Sequence, residues 1–482
     1  MNRRVWASGC RFNCLVNNSN KMKRTISLYG VVLLFTTGSA YALDMRSTQP
    51  VAPASEAQTT APVNPAVLTN ERIRQFVSQS GLDPDSEKGR LLVAMFTRIA
   101  ADAEYRDKFS KFSQARGMFG GQLSPDDRLR VLQLLKDLAQ GPKSDCDALV
   151  ANGHDFVLMA KTLSTQGFKD MLEIVEISVG RSLPDSNGER YTTAELLDAE
   201  SALESALESK LAPQLSAKRM PNACEVLGAG VDAIDAMPPE SRQRATYEFF
   251  QTMDHKTSPR ATVLADPYAY LDDTFDERRI PDSVRRRLPE NGSHPLPFSR
   301  LVIDAEWRHQ SKPNQPSPFK DTYVNRRNNG VIAELVTPGA DSAKQDWSSF
   351  YLSYGVANLL TQYVGLGELT RLGTLKDDTA VEVASQPLLE GRSIEFAVPL
   401  PSEDGETSKT CEVGKTVPAS TVFKSFDGEA IELHCKFVKK GGDTERVNVA
   451  LLVNYGIPWW TSYDDEDGHT DVVIRNVTIQ QP

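Results

Sequence analysis

The chain has 482 residues, with 54 Lys or Arg against 64 Asp or Glu and a formal net charge of −10 at pH 7. Such an acidic protein binds nucleic acid or anionic lipid poorly through bulk electrostatics, so we expect no nucleic-acid partner. No segment beyond the first 42 residues approaches the roughly 20 apolar residues that a membrane-spanning helix needs. We therefore expect no transmembrane segment.

The first predicted element is a secretory leader that begins at Met22. Basic residues precede an apolar run over 26–35, and a small-residue cleavage motif follows at 40–42. This order is typical of a signal peptide, so residues 22–42 are predicted to be removed. Residues 1–21 contain no apolar core and are predicted to be a mis-assigned upstream start. The two segments carry six Lys or Arg and no Asp or Glu, so the mature chain keeps 48 basic against 64 acidic residues, a net charge of −16. The expected location is the periplasm or the extracellular space.

The N-terminal half of the predicted mature chain divides into a tether and a helical domain. Residues 43–69 are rich in Pro, Ala and Thr, a composition typical of a flexible tether. Over residues 70–253 apolar side chains recur at i, i+3 and i+4, which indicates amphipathic helices. The pair Ser124–Pro125 and the capping box Thr192–Glu195 mark two helix starts. We predict about seven helices, arranged as a bundle or a short helical array.

The C-terminal half has a different pattern. Residues 254–298 are rich in Pro, Asp and Arg and are predicted to be an interdomain connector. From 299 to 482 the apolar period changes from 3.6 to 2, which predicts a β-rich, mostly antiparallel domain. Residues 328–330, Asn-Asn-Gly, predict a hairpin turn, and residues 347–363 predict a helix that covers the sheet. The predicted strands include Val381 with Val383, and residues 394–398, 431–437 and 447–455. The predicted fold class is therefore α+β, with an all-α domain followed by a mostly antiparallel β-rich domain.

Six cysteines become four once Cys10 and Cys14 leave with the first 42 residues. An even number of cysteines in an exported protein indicates disulfides, and four cysteines allow three connectivities. We favour the two pairs that stay within one predicted domain, Cys146–Cys224 and Cys411–Cys435.

No compact catalytic motif is found. The sequence contains no G-x-S-x-G, no H-E-x-x-H and no C-x-x-C, so the catalytic residues are unknown. Paired carboxylates that act as general acid and base need no compact motif. If the protein is a hydrolase, Asp304 and Glu306 are the first such residues to consider, followed by the acidic residues of 464–471.

The densest acidic cluster lies near the C-terminus, around Gly468. Several carboxylates around a glycine turn can provide the oxygen ligands that Ca²⁺ requires, and the candidate ligands are Asp464, Asp465, Asp467 and Asp471. An EF-hand loop needs ligand residues at its first and last positions. Those positions hold Tyr463 and Ile474 here, so the pattern does not match that motif. The alternative is a solvated acidic hairpin loop. No other cofactor is expected.

Aromatic residues precede this cluster at Trp459, Trp460 and Tyr463. They can form a stacking surface for sugar rings or a protein partner, or they can fill the core at the end of a strand. Together these patterns favour an exported, non-catalytic envelope or secreted protein that contacts another envelope protein or cell-wall glycan. The alternative is a hydrolase of an envelope polymer that uses paired carboxylates.

Overall fold

The computed structural model describes residues 69–114, 123–152, 155–181, 191–217, 219, 221–253, 257–339, 346–366, 372–376, 378–399, 406–438, 444–465 and 468–482. These residues fall into two compact units, one that ends at Ser258 and one that runs from Pro259 to Pro482. The predicted upstream extension, the signal peptide and all of the tether except Thr69 lie outside the described residues.

The first unit is helical. Its described helices are α1 (Asn70–Gln79), α2 (Glu87–Ala101), α3 (Ala103–Gln114), α4 (Pro125–Gln140), α5 (Lys143–Asn152), α6 (Phe156–Thr162), α7 (Thr165–Gly180), α8 (Thr193–Ser216), α9 (Ala223–Asp235) and α10 (Pro239–Met253). The prediction of about seven helices is too low, because some breaks contain neither Gly nor Pro. Asp102 alone separates α2 from α3, and α7 begins after Ser164, whose side chain accepts a hydrogen bond from the Gly167 N–H.

The helix starts follow the sequence signals. Helix α4 begins at Pro125, and the Ser124 hydroxyl accepts the Asp127 N–H at 3.1 Å. The Glu195 carboxylate accepts the Thr192 N–H at 2.8 Å, which forms the predicted capping box before α8. The apolar faces of these helices meet in one core that includes Leu92, Val131, Phe168, Ile174, Val231 and Phe250. Burial of this continuous apolar face stabilises the unit more than helix propensity does.

The second unit is built on one twelve-stranded antiparallel sheet. Its strands are β1 (Arg300–His309), β2 (Ser317–Asn325), β3 (Val331–Pro338), β4 (Trp347–Tyr354), β5 (Ala357–Gly365), β6 (Leu372–Thr374), β7 (Ser393–Pro399), β8 (Glu406–Pro418), β9 (Glu429–Val438), β10 (Thr444–Leu452), β11 (Ile457–Asp465) and β12 (Gly468–Gln480). The order is β6-β5-β4-β3-β2-β1-β12-β11-β10-β9-β8-β7, so the last strand returns beside the first. The predicted α+β class with a β-rich C-terminal domain is confirmed.

The two ends of the sheet approach each other and make it a near-barrel. The Thr361 hydroxyl on β5 donates to the Pro399 carbonyl at the end of β7 at 2.8 Å. The edge of β5 is already paired with β6 at residues 360–362. The hydrogen bond from Thr361 to Pro399 is therefore a side-chain contact from β5 to the end of β7, and β7 does not continue the sheet at that edge. Helix α14 (Thr379–Ala384) packs against both β5 and β7. The ends therefore overlap without pairing as strands.

The predicted helix over residues 347–363 is wrong, because these residues form the hairpin of β4 and β5. Both faces of these strands are largely buried, so the alternation of apolar and polar residues that identifies a half-buried strand is missing. The turn is made at Gly355, whose φ of 55° suits glycine.

The strand predicted from Val381 and Val383 is also wrong, because both residues lie in α14. Val381 is buried, and the helix has only six residues. Two apolar residues at i and i+2 fit a short helix as well as a strand, so spacing alone could not decide between them. The predicted turn at 328–330 is confirmed, with positive φ at Asn328 and Gly330 between β2 and β3.

The predicted connector contains regular structure. Its described helices are α11 (Pro259–Ala265), α12 (Pro267–Asp273) and α13 (Asp282–Arg285), with a 3-10 turn at Glu277–Arg279. The Tyr270 hydroxyl donates to the Gln362 side chain on β5 at 2.7 Å, and its ring lies 5.0 Å from the ring of Phe350 on β4. This segment therefore covers one face of the sheet.

The four cysteines of the predicted mature chain form the two predicted disulfides. Cys146 on α5 bonds Cys224 on α9, and Cys411 on β8 bonds Cys435, which lies directly opposite on β9. Each disulfide therefore closes a loop within one compact unit. Among the described helices, none combines the length and the apolar character needed to cross a membrane.

Candidate functional site

The aromatic residues of β11 lie on two different faces of the strand. Trp459 is 2% exposed, and its ring stacks on Phe319 of β2 with centroids 6.2 Å apart. Trp460 and Tyr463 are half-buried, and their ring centroids are 6.4 Å apart. A β-bulge at Thr461 keeps these two side chains on one face, although their spacing is three residues. Trp459 is therefore a core residue, while Trp460 and Tyr463 form a partly open pair, the β11 aromatic pair.

The acidic cluster flanks the β11–β12 hairpin. Asp464 lies opposite His469, and Asp465 lies opposite Gly468. The Nδ1 atom of His469 is 2.8 Å from Asp464 Oδ1, and its Nε2 atom is 3.1 Å from Asp471 Oδ1. A neutral imidazole has one N–H, so both contacts are hydrogen bonds only when the ring is doubly protonated. Hydrogen bonding to Asp464 accordingly raises the pKa of His469, with a smaller contribution from Asp471.

Two of the predicted calcium ligands, Asp464 and Asp471, thus contact His469. In the part of the chain that the structure describes, no group of three or more His, Cys, Asp or Glu side chains is arranged to hold a metal ion. Asp467, another of the four candidate ligands, lies outside the described residues. The calcium site at Asp464, Asp465, Asp467 and Asp471 stays a prediction.

The candidate catalytic carboxylates lie on one face of β1, two residues apart. Both Arg308 Nε and Arg475 Nη2 lie 2.5 Å from the same Glu306 oxygen, and the Glu306 side chain is 10% exposed. The hydrogen bond from Arg475 lowers the pKa of Glu306, and Arg308 lowers it further. Asp304 accepts the Asn476 amide at 3.4 Å. Glu306 is therefore held ionised by two arginines, whereas a general acid needs a raised pKa.

Sequence reasoning missed a further cluster, which lies around Trp307 on β1. Its ring stacks on Phe319 at 4.0 Å between centroids and lies 6.2 Å from Trp347 of β4. Trp307 and Trp347 are 6% and 3% exposed, so this cluster belongs to the core. The sequence signal was present in the aromatic residues of β4, but assigning them to a helix placed Trp347 apart from Trp307.

No model of a known protein family matches this sequence, and no curated protein sequence matches it. Among solved structures, the chain is similar to a β-barrel-like protein of the domain of unknown function DUF1849 from Brucella abortus, at 15% identity and a TM-score of 0.25. That match covers 39% of this chain and 99% of the other. At this identity and TM-score, the similarity carries no argument about function.

Proposed function

We propose that this protein is exported to the periplasm or the extracellular space, and that it is a non-catalytic protein that binds cell-wall glycan or another envelope protein. The β11 aromatic pair is the observation that carries the proposal. Tyrosine and tryptophan combine a large apolar ring with a polar atom, which suits them to surfaces that become buried on binding. The half-buried rings of Trp460 and Tyr463 stand beside exposed carboxylates at the end of the β11–β12 hairpin.

Two further features support the proposal. Both disulfides suit an oxidising compartment outside the cytoplasm. The ionisation of Glu306 argues against the hydrolase alternative, because a carboxylate paired with two arginines is a poor proton donor.

Co-sedimentation with purified peptidoglycan sacculi, and pull-down from envelope extract, test the proposal. We expect Trp460→Ala with Tyr463→Ala to reduce retention by about tenfold, as loss of aromatic contacts at a binding surface does. Leu389→Ala is the matched control, since Leu389 is also apolar and is 63% exposed at another place in the β unit. If sacculi and envelope extract retain the double variant to the same extent as the wild type, the binding site does not lie at the β11 aromatic pair.

The hydrolase alternative predicts a different outcome. Incubation of the wild-type protein with sacculi would release soluble fragments, and Glu306→Gln would abolish the release. If the wild type releases no soluble fragments from sacculi, the hydrolase alternative is wrong and the binding proposal is the one that stands.

A further inference from the structure

Strand β12 has an open edge over most of its length. It pairs with β1 up to its last residue, but its pairing with β11 ends where Asp471 lies opposite Ser462. Beyond that point β11 turns over the inner face of the sheet, because its Trp459 packs on Phe319 of β2. Among the described residues, no strand other than β1 pairs with residues 472–480, the β12 edge. The backbone groups of this edge that point away from β1 can therefore pair with a further strand.

The side chains of the β12 edge divide between the two faces of the sheet. The residues of the inner face are apolar, lie opposite buried residues of β1, and are Val472, Ile474, Val477 and Ile479. The residues of the outer face are Val473, Asn476, Thr478 and Gln480. Arg475 is the extra residue of a β-bulge and carries the one charge of the edge. Six of the nine residues are β-branched and none is proline, so the composition favours strand pairing.

The inner face of the β12 edge is complementary to a second copy of itself. Ile474 and Val477 share this face although they are three residues apart, because the bulge between them shifts the alternation by one. Two antiparallel copies can therefore place Ile474 of one opposite Val477 of the other. In that register Val472 comes opposite Ile479, so every inner apolar residue meets another inner apolar residue. Both copies carry the same bulge, so the two strands still pair residue for residue.

The outer face is compatible with the same register. Val473 comes opposite Thr478, and both lie on the outer face. Arg475 comes opposite Asn476, so no two like charges lie directly opposite each other. Arg475 also keeps its contact with Glu306 of its own chain, 2.5 Å away. Both faces of the β12 edge thus fit one partner, which is another β12 edge.

We propose that two copies of this chain form a dimer by pairing their β12 edges in this antiparallel register. The paired segment is about 30 Å long, since a strand rises about 3.4 Å per residue. Main-chain hydrogen bonds provide the affinity in such strand addition, and the side chains determine the register. An edge that pairs with itself makes a closed two-fold contact, so assembly stops at two copies. The inference goes beyond the proposed function, because binding of glycan or of an envelope protein does not need a dimer.

Analytical ultracentrifugation of the full chain over a range of concentrations tests the dimer. We expect a reversible monomer–dimer equilibrium in which the dimer dominates at about 100 μM, because one strand pair is a small interface. The double variant Val473→Lys with Thr478→Lys places two lysines opposite each other at both ends of the pairing. Like charges that lie directly opposite each other repel, so this variant should weaken dimerisation by about tenfold.

A charge-swapped variant is the matched control. Val473→Lys with Thr478→Glu changes the same two positions but places each new lysine opposite a glutamate of the second copy. This variant should dimerise as tightly as the wild type or more tightly, because opposite charges attract across a strand pair. Thermal melting followed by circular dichroism should give similar melting temperatures for the two double variants, which excludes unfolding as the cause of a difference in dimerisation.

Two results would overturn the inference. A wild-type protein that stays monomeric over the whole concentration range does not pair its β12 edge with a second copy. A wild-type dimer that the two double variants leave unchanged, or weaken to the same extent, does not form through the register proposed for residues 472–480. Neither result bears on the proposed function, which is tested by retention on sacculi and envelope extract.

Discussion

His469 joins two carboxylates across the β11–β12 hairpin, and its protonation decides whether both contacts hold. Asp464 raises the pKa of His469 above its ordinary value of 6.5. The charged ring therefore stabilises the hairpin fully below pH 6.5, and this stabilisation is lost as the pH rises through the higher pKa of the folded state. The imidazole is 37% exposed, so solvent screening keeps the contribution small.

This mechanism predicts the titration of a single residue. In an NMR titration of the ring protons, we expect the wild-type His469 to titrate above 6.5, and we expect Asp464→Asn to move its pKa downward because the largest cause of the shift is removed. Asp471→Asn should produce a smaller downward movement. A wild-type pKa at or below 6.5 would contradict the double hydrogen bond.

At the scale of single elements, the sequence predicted strands well where one face of the strand meets solvent. Residues 431–437 of β9 alternate between core and surface, and the observed strand spans them. Strands β4 and β5 are buried on both faces by the core and by the helices of the predicted connector, so their sequences lack alternation. The packing that causes this burial comes from residues about 80 positions away, such as Tyr270 against Phe350. A local pattern could not reveal it.

The candidate site shows the same limit. The sequence grouped Trp459 with Trp460 and Tyr463 and favoured core packing for the group, with a stacking surface as the alternative, so it could not separate one ring from another. The bulge at Thr461 determines which face each ring occupies, and the bulge appears only once β10 and β11 are paired. The disulfides were easier to predict, because keeping each pair within a domain leaves one arrangement.

The two faces of β11 predict different effects of substitution on stability. Trp459→Ala removes a ring packed on Phe319 and should lower the free energy of unfolding by about 3–5 kcal/mol. Trp460→Ala removes a half-buried ring and should cost about 1–2 kcal/mol. Urea denaturation followed by circular dichroism measures both values. Equal losses for the two variants would mean that Trp460 serves the core as much as Trp459 does.

At the scale of the whole molecule, each compact unit contains its own core and its own disulfide. The helical core is made only of residues that precede Ser258, and the core around Trp307 and Trp459 is made only of residues that follow Pro259. Units with separate cores unfold as separate cooperative transitions unless the interface between them is strong. We therefore expect calorimetry of the protein to resolve two transitions.

The disulfides identify which transition belongs to which unit. Their partners are separated by 78 residues for Cys146–Cys224 and by 24 for Cys411–Cys435. In the chain-entropy model the longer loop contributes about 4.5 kcal/mol and the shorter one about 3.5 kcal/mol. Replacing Cys146 and Cys224 by Ala should lower the melting temperature of one transition and leave the other in place, and replacing Cys411 and Cys435 should do the reverse. A single transition that both double variants shift equally would mean that the two cores unfold as one, and stability could then no longer be assigned to each unit separately.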